Sequence, residues 1–377
     1  MKTKFRNFCF LLSVLLCFLF SFGACSSSEN HSQNDSETTK EYIEGKEVVS
    51  AEEVNAFNEN AIRLFGRTYT TSKGLALENA STGVEICFFG TNLTANIIAA
   101  SGTMFCRVFI DGDPEGSFLK IGGNDEYKLA KDLSEGVHTV KIIKSTSSQN
   151  GKIVIENFST DGKFLRSETS SSLRMEFVGD SITVGAGVFG KSGQACSAEN
   201  SDVTKSYAYL TAQALGAYCS VVATEGICVK AKDALPYVNM CEMYQNVSSV
   251  TPNPYPQEEP YDIVIVGLGQ NDGWYMDSHP EYTTDRFVTD YRELLNQIRN
   301  RNKDAKIICV YGMMGVNEKI EAGIQQAVKS QQDSRIGYCK LPADGNGADA
   351  HPSAEGAKKQ SATLVSYLQK YLGYSSL

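Results

Sequence analysis

Apolar and polar positions follow a different rule in each of four stretches of the chain. Lys2, Lys4 and Arg6 precede an almost unbroken apolar run from Phe8 to Phe22. A positive flank before a short apolar core is the pattern of a secretory signal over residues 1–24, too short for a membrane span. Residues 25–48 carry Ser, Glu, Asn and Thr with almost no apolar position, which predicts a flexible tether. Over 49–167 the period is two: Val84, Ile86 and Phe88 alternate with polar neighbours, then Leu93, Ala95 and Ile97. The runs 106–110, 138–143 and 152–155 repeat it, separated by turns such as Asp111-Gly112-Asp113-Pro114. Short alternating strands between Gly, Asp and Asn turns predict a β-sandwich of jelly-roll type.

Over 172–377 the pattern changes again. An apolar run at 175–178 ends at Gly179-Asp180-Ser181, and 263–268 is a six-residue apolar run fit for a strand buried on both faces. Strands are also predicted at 220–223 and 306–311, and helices at 206–216, 317–330 and 354–372. The helix predicted over 284–302 carries Phe287, Tyr291, Leu294, Leu295 and Ile298 on one stripe. Strands alternating with helices predict an α/β domain with a doubly wound, flavodoxin-like parallel sheet.

Composition narrows the function. With 42% hydrophobic residues, 18 Phe and 18 Tyr, most of the 377-residue chain must collapse around a core. The net charge is −9, and loss of residues 1–24 removes three cations and no anion, taking it to −12. An acidic chain without a basic stripe excludes nucleic-acid binding. Four His and no Cys-x-x-Cys pair give no zinc spacing, so no metal and no cofactor are expected. Cys87, Cys219 and Cys309 stand inside apolar runs as small hydrophobes, although export would permit disulfides.

In doubly wound sheets, ligands sit beyond the carboxyl ends of the strands. Four segments fall there: Gly179 to Thr183, Thr224 to Ile227, Gly267 to Asp272, and Gly347 to Ser353. Ser181, on an expected strand-to-helix turn, has the exposed hydroxyl of a nucleophile, and His351 before the last helix is placed to take its proton. Ser181 N–H, Gly226 N–H and the Asn271 side chain supply three oxyanion donors. Ser181 could instead be a helix N-cap, and His279, before Pro280, is a weaker rival base. Trp274 and Tyr275 lie close to the same face and offer aromatic platforms for a sugar ring, the alternative being burial. Gly185 to Gly190 fits Gly-x-Gly-x-x-Gly but neither follows a strand directly nor opens a helix, and reads as a flexible rim of the cleft. His138 reads as a surface or packing residue.

Ser181, Gly226, Asn271 and His351, in that chain order, resemble the signature of the SGNH (GDSL-type) hydrolases. The run Arg174 to Thr183 is similar to the opening of carbohydrate esterase family 2, whose small jelly roll also precedes the hydrolase domain. The phrases Ile62 to Arg67, Val108 to Gly112 and Gly136 to Val140 resemble that jelly roll. Most SGNH hydrolases carry an acid three residues before the His; here that position is Ala348, and Asp349 stands two before it. The resemblance leaves Asp349, or a backbone carbonyl, to orient His351. It implies a serine esterase removing acetyl groups from a polysaccharide such as acetylated xylan, without a cofactor. Acetylated glucomannan and peptidoglycan present the same small ester. The alternatives are a GDSL-type lipase or lysophospholipase, and an inactive carbohydrate-binding surface protein. Phe22-Gly23-Ala24-Cys25 resembles the lipobox of bacterial lipoproteins, implying lipidation of Cys25 and an exported, membrane-anchored protein facing the cell surface or periplasm.

Overall fold

A computed structural model describes residues 40–99, 102–168, 173–231, 238–257 and 259–372. The expected signal, Cys25 and tether residues 26–39 lie outside the described residues.

Residues 40–48 are not a free tether. Strands Tyr42–Ile43 and Lys46–Glu47 pair into a hairpin, Val48 bridges to Leu165, and Arg166 Nε donates to Glu47 Oε2 at 2.9 Å. Three ion pairs, Lys46–Glu168, Glu41–Lys163 and Glu47–Arg166, and the Val48 bridge dock a segment whose composition is otherwise that of a linker.

Two antiparallel sheets follow, packed face to face. One runs in the order Asp125–Ala130, Leu93–Ala99, Ile153–Thr160, Gly74–Leu77, Tyr69–Thr71. The other runs Lys163–Leu165, Gly83–Gly90, Gly136–Lys144, Met104–Ile110, Ser117–Ile121, with Arg63–Phe65 also paired to Gly83–Gly90. Val84, Ile86 and Phe88 of one sheet and Ala95, Ile97, Ile153 and Ile155 of the other form one core, as the period of two required. A short helix, Ala51–Asn55, interrupts the expected all-strand pattern. Ser50 and Glu53 cap it reciprocally, a Ser-x-x-Glu signal legible in the sequence.

The second domain holds five parallel strands in the order Tyr218–Ala223, Arg174–Gly179, Ile263–Gly267, Lys306–Tyr311, Ile336–Lys340. Helices Thr284–Arg301 and Glu318–Ser330 cover one face through Phe287, Leu294, Ile320 and Ile324. Helices Tyr207–Ala214 and Ala354–Leu372 cover the other through Ala208, Ala212, Leu364 and Leu368. Strand Ile336–Lys340 was not expected; it is an edge strand only partly buried, so its apolar signal is weak. The chain reverses winding direction at Arg174–Gly179, and the crevice between its end and that of Ile263–Gly267 is the fold's natural ligand site.

The two domains share a core. Phe65, Ala80, Phe109 and Ile143 of the sandwich pack with Tyr207, Tyr209, Cys219 and Val221 of the α/β domain. Beside them Arg67 and Glu176 form a fully buried ion pair at 3.1 Å. Arg67 also donates to the carbonyls of Tyr244 and Asn246, and Tyr244 Oη donates to Glu176 Oε2 at 2.9 Å. Both carboxylate oxygens of Glu176 and both terminal nitrogens of Arg67 thus find partners, while Arg67 Nε finds none.

Candidate active site

Ser181 stands two residues beyond Gly179, but no helix follows it. Residues 180–189 form consecutive tight turns, in which Thr183 N–H bonds Asp180 O and Ala186 N–H bonds Ser181 O. Gly185 and Gly187, both at positive φ, turn the backbone out of the helical path. The expected strand-to-helix turn is therefore corrected, and with it any helix-end contribution at Ser181.

The glycine-rich run is not a flexible rim either. A Cβ on Gly187 would stand 2.8 Å from Ala348 Cβ and from Cys196 Sγ, and one on Gly190 would stand 2.5 Å from Ala348 Cβ. Ala348 N–H donates to Gly187 O at 3.0 Å. These glycines form a close-packed seat for the turn that carries His351. Ala348 is fully buried in that seat, so a carboxylate at this position has no room.

The turn itself is strained: Asp349 and Ala350 both take left-handed φ, at 47° and 58°. It brings His351 Nε2 to 2.8 Å from Ser181 Oγ and His351 Nδ1 to 3.0 Å from Ala348 O. Ser181 is 8% and His351 9% exposed, so little water competes for this bond. Nδ1 faces a carbonyl and therefore carries the proton, leaving Nε2 to accept from the serine hydroxyl. Burial holds the His351 pKa below the ordinary value, so the imidazole is neutral near pH 7.

The Asp349 carboxylate does not bond the imidazole. Its Oδ2 accepts the Cys196 N–H at 2.7 Å and the Asp349 N–H donates to Gln194 O at 2.8 Å. Of the two groups left to orient His351, the backbone carbonyl of Ala348 is the one at Nδ1, at 3.0 Å.

Asn271 lies in the first turn of helix Gln270–Ser278, an element not expected from the sequence. Its Nδ2 donates to Ile227 O at 3.0 Å and stands 3.4 Å from Asp180 Oδ2. One amide thus ties the neighbour of Ser181 to the neighbour of Gly226, whose φ of +71° suits glycine. The adjacent Asp272 was missed: buried, it accepts Val229 N–H at 3.1 Å and Tyr282 Oη–H at 3.3 Å, and so holds the 226–229 loop. Burial pushes Asp180 and Asp272 up to about 7. Gln149, from the sandwich, was also missed; its Nε2 donates to Glu225 O at 2.9 Å, next to Gly226.

Trp274 is 54% exposed, which disposes of the buried alternative, and stands one helical turn from Asn271. Tyr275 is half-buried, stacked at 3.9 Å on His279 and edge-on to Tyr282 at 5.3 Å, so one of its faces is covered. The rival base His279 ends this helix with Nδ1 3.1 Å from Tyr275 O. His138 is buried between Asp111 Oδ2 and Ser134 O, each at 2.7 Å, and packs the sandwich. Among the described residues no cluster of His, Cys, Asp or Glu could hold a metal, and the eight cysteines are free thiols.

Residues 64–168 match the carbohydrate esterase 2 N-terminal family, and residues 177–359 match the GDSL-like lipase/acylhydrolase family. The cellulase/esterase CelE of Acetivibrio thermocellus is 26% identical over 317 residues, covering 78% of this chain and 37% of that protein. The chain thus spans little more than a third of that relative. An acetylxylan esterase/glucomannan deacetylase of Cellvibrio japonicus is 22% identical over 343 residues, covering 87% of this chain and 93% of that one. A family two carbohydrate esterase from Clostridium thermocellum, solved in complex with cellohexaose, superposes with a TM-score of 0.77 at 24% identity. It covers 83% of this chain and 100% of the other.

Proposed function

We propose that this chain, which joins the N-terminal domain of the family 2 carbohydrate esterases to a GDSL-type hydrolase domain, is a serine esterase that removes O-acetyl groups from polysaccharide. The 2.8 Å contact between Ser181 Oγ and a buried, neutral His351 carries the reading. Ser181 Oγ attacks the acetyl carbonyl as its proton passes to His351 Nε2. Ser181 N–H and Gly226 N–H receive the oxyanion, joined by Asn271 Nδ2 as its long 3.4 Å contact to Asp180 Oδ2 gives way, and the Ala348 carbonyl faces the imidazolium. The tetrahedral adduct collapses to an acetyl-enzyme as His351 returns the proton to the departing sugar hydroxyl. Water, deprotonated by the same nitrogen, then releases acetate. Trp274 stacks on a sugar ring of the polymer, so Trp274→Ala raises KM for acetylated xylan about three- to tenfold but not for a small acetyl ester.

Acetate release from acetylated xylan by the purified protein tests the assignment. Ser181→Ala should abolish it without moving the melting temperature; a variant that still turns over would overturn the role of Ser181. The match to a lipase/acylhydrolase family favours a second reading, turnover of long acyl esters. Activity that rises with acyl length would select it, whereas an acetyl pocket predicts a steep fall beyond two carbons. Inactivity followed only from the missing acid at position 348, and the carbonyl at Nδ1 supplies an acceptor in its place. Among the described residues no helix is long and apolar enough to cross a membrane. Attachment to the membrane is assigned to lipid on Cys25, supported by the 22–25 sequence; loss of palmitate labelling in Cys25→Ala checks it.

A further inference from the structure

Cys196 lies behind the imidazole. Its Sγ is 3.4 Å from His351 Nδ1 and 3.6 Å from Ala348 O. Because a Cβ on Gly187 would stand 2.8 Å from this sulfur, the thiol is held in contact on a second side. Burial pushes its pKa up to about 12, so it keeps its proton and is neither a thiolate nucleophile nor a base. Asp349 places it: the carboxylate accepts the Cys196 N–H, while the Asp349 N–H donates to Gln194 O. Those two bonds staple segment 194–196 to the turn that carries His351.

We propose that Cys196 is a positioning residue for His351, and that the Asp349 carboxylate positions the imidazole through Cys196 rather than by bonding the ring. The inference rests on the Ser181–His351 reading above. With Nε2 accepting from the serine, the Nδ1 proton points at Ala348 O and the thiol sulfur together. The carbonyl gives the shorter bond. The sulfur, large and polarisable, walls the ring against rotation and adds a soft second acceptor when the ring becomes imidazolium. A buried carboxylate against the ring would raise its pKa, whereas this arrangement orients it without placing a charge in contact with it. The charged groups acting on the ring are Asp349 and Glu225, and both raise its pKa. Cys196→Ala changes neither charge, so a shift in that variant reports the lost contact, whereas Asp349→Asn also removes a charge.

The test is a double-mutant cycle in the full-length protein, using Cys196→Ala, Asp349→Asn and both, with Cys196→Ser as the conservative variant. Cys196→Ala should lower kcat for a small acetyl ester about tenfold, with KM within about twofold. Cys196→Ser should recover most of the loss, and the double variant should be no slower than the slower single variant. Wild-type kinetics in Cys196→Ala, or losses that multiply in the double variant, would overturn the proposal. A second readout needs no turnover. The ring nitrogens of His351, assigned by their disappearance in His351→Gln, should show one Nδ1–H tautomer in the wild type and a mixture with a shifted pKa in Cys196→Ala. An inactive wild type with that ring response would count against the esterase reading alone. An active wild type whose ring is indifferent to Cys196 would remove the positioning role alone.

Discussion

In the proposed reaction His351 serves as a base at neutral pH, and its surroundings suit that role. Removing its imidazole from water disfavours the charged form, and this outweighs the Ala348 carbonyl and the Asp349 and Glu225 charges, which pull the other way. The acid limb of kcat/KM should therefore have its midpoint below the ordinary histidine value of about 6.5, leaving the rate flat at pH 7. Asp349→Asn, which removes a charge that raises the pKa, should move that limb to still lower pH. Stability follows the same sign. The unfolded chain binds this proton more tightly than the folded one, so the contribution of His351 is present above the ordinary value and lost as pH falls through the window below it. A pH–rate profile of the free enzyme and melts across the same range measure both; an acid limb at or above the ordinary value would refute the burial argument.

At the scale of elements, the residues that do chemistry are delivered by turns, and the turns are held by sterics. The 180–190 segment contributes Ser181 at one end and glycines at the other, where they receive Ala348 and fix the His351 turn. Gly190→Ala needs no forbidden φ, yet its methyl group would press on Ala348. We expect kcat/KM to fall about tenfold or more, while the protein loses only about 1–3 kcal/mol of stability. Kinetics beside a denaturant titration separate the two, and unaltered kinetics would show that this contact does not set the position of His351. The helix from Gln270 to Ser278 belongs to the same scale. Its first turn presents Asn271 and Asp272 to the 226–229 loop, and its second leaves Trp274 in solvent.

For the molecule as a whole, the sandwich is part of the α/β domain's core rather than an appendage. Its Phe65, Phe109 and Ile143 complete one face of the parallel sheet, its Gln149 bonds beside Gly226, and its Arg67 neutralises Glu176 on strand Arg174–Gly179. Arg67→Met would strand a buried carboxylate, at a cost of roughly 3–5 kcal/mol. The double replacement Arg67→Met with Glu176→Leu should recover much of that loss. Urea unfolding reads both, and the wild type should unfold both domains in one transition. A single variant as stable as the wild type would mean that the pair contributes nothing to joining the domains.

Periodicity determined most of the architecture. Alternation of period two made the sandwich, and the stripe through Phe287, Tyr291, Leu294 and Ile298 made the covering helix, because those patterns leave one way to bury an apolar face. The segments rich in Gly, Ser, Asn and His that follow the strands or precede the last helix carry Ser181, Asn271 and His351, and the sequence pattern alone puts them on the crevice side of the sheet. Weaker signals misled. The half-buried edge strand at Ile336–Lys340 passed unseen, residues 40–48 resembled linker, and the glycine run resembled a flexible rim. What orients the histidine was legible only as a choice between Asp349 and a backbone carbonyl. A carboxylate two residues away along the chain bonds elsewhere, a backbone carbonyl takes its place, and a cysteine 155 residues distant touches the ring. Backbone atoms carry no residue-type signal, and contacts between distant turns exist only once the sheet has brought its strand ends together. Tertiary structure alone therefore decided how the base is held.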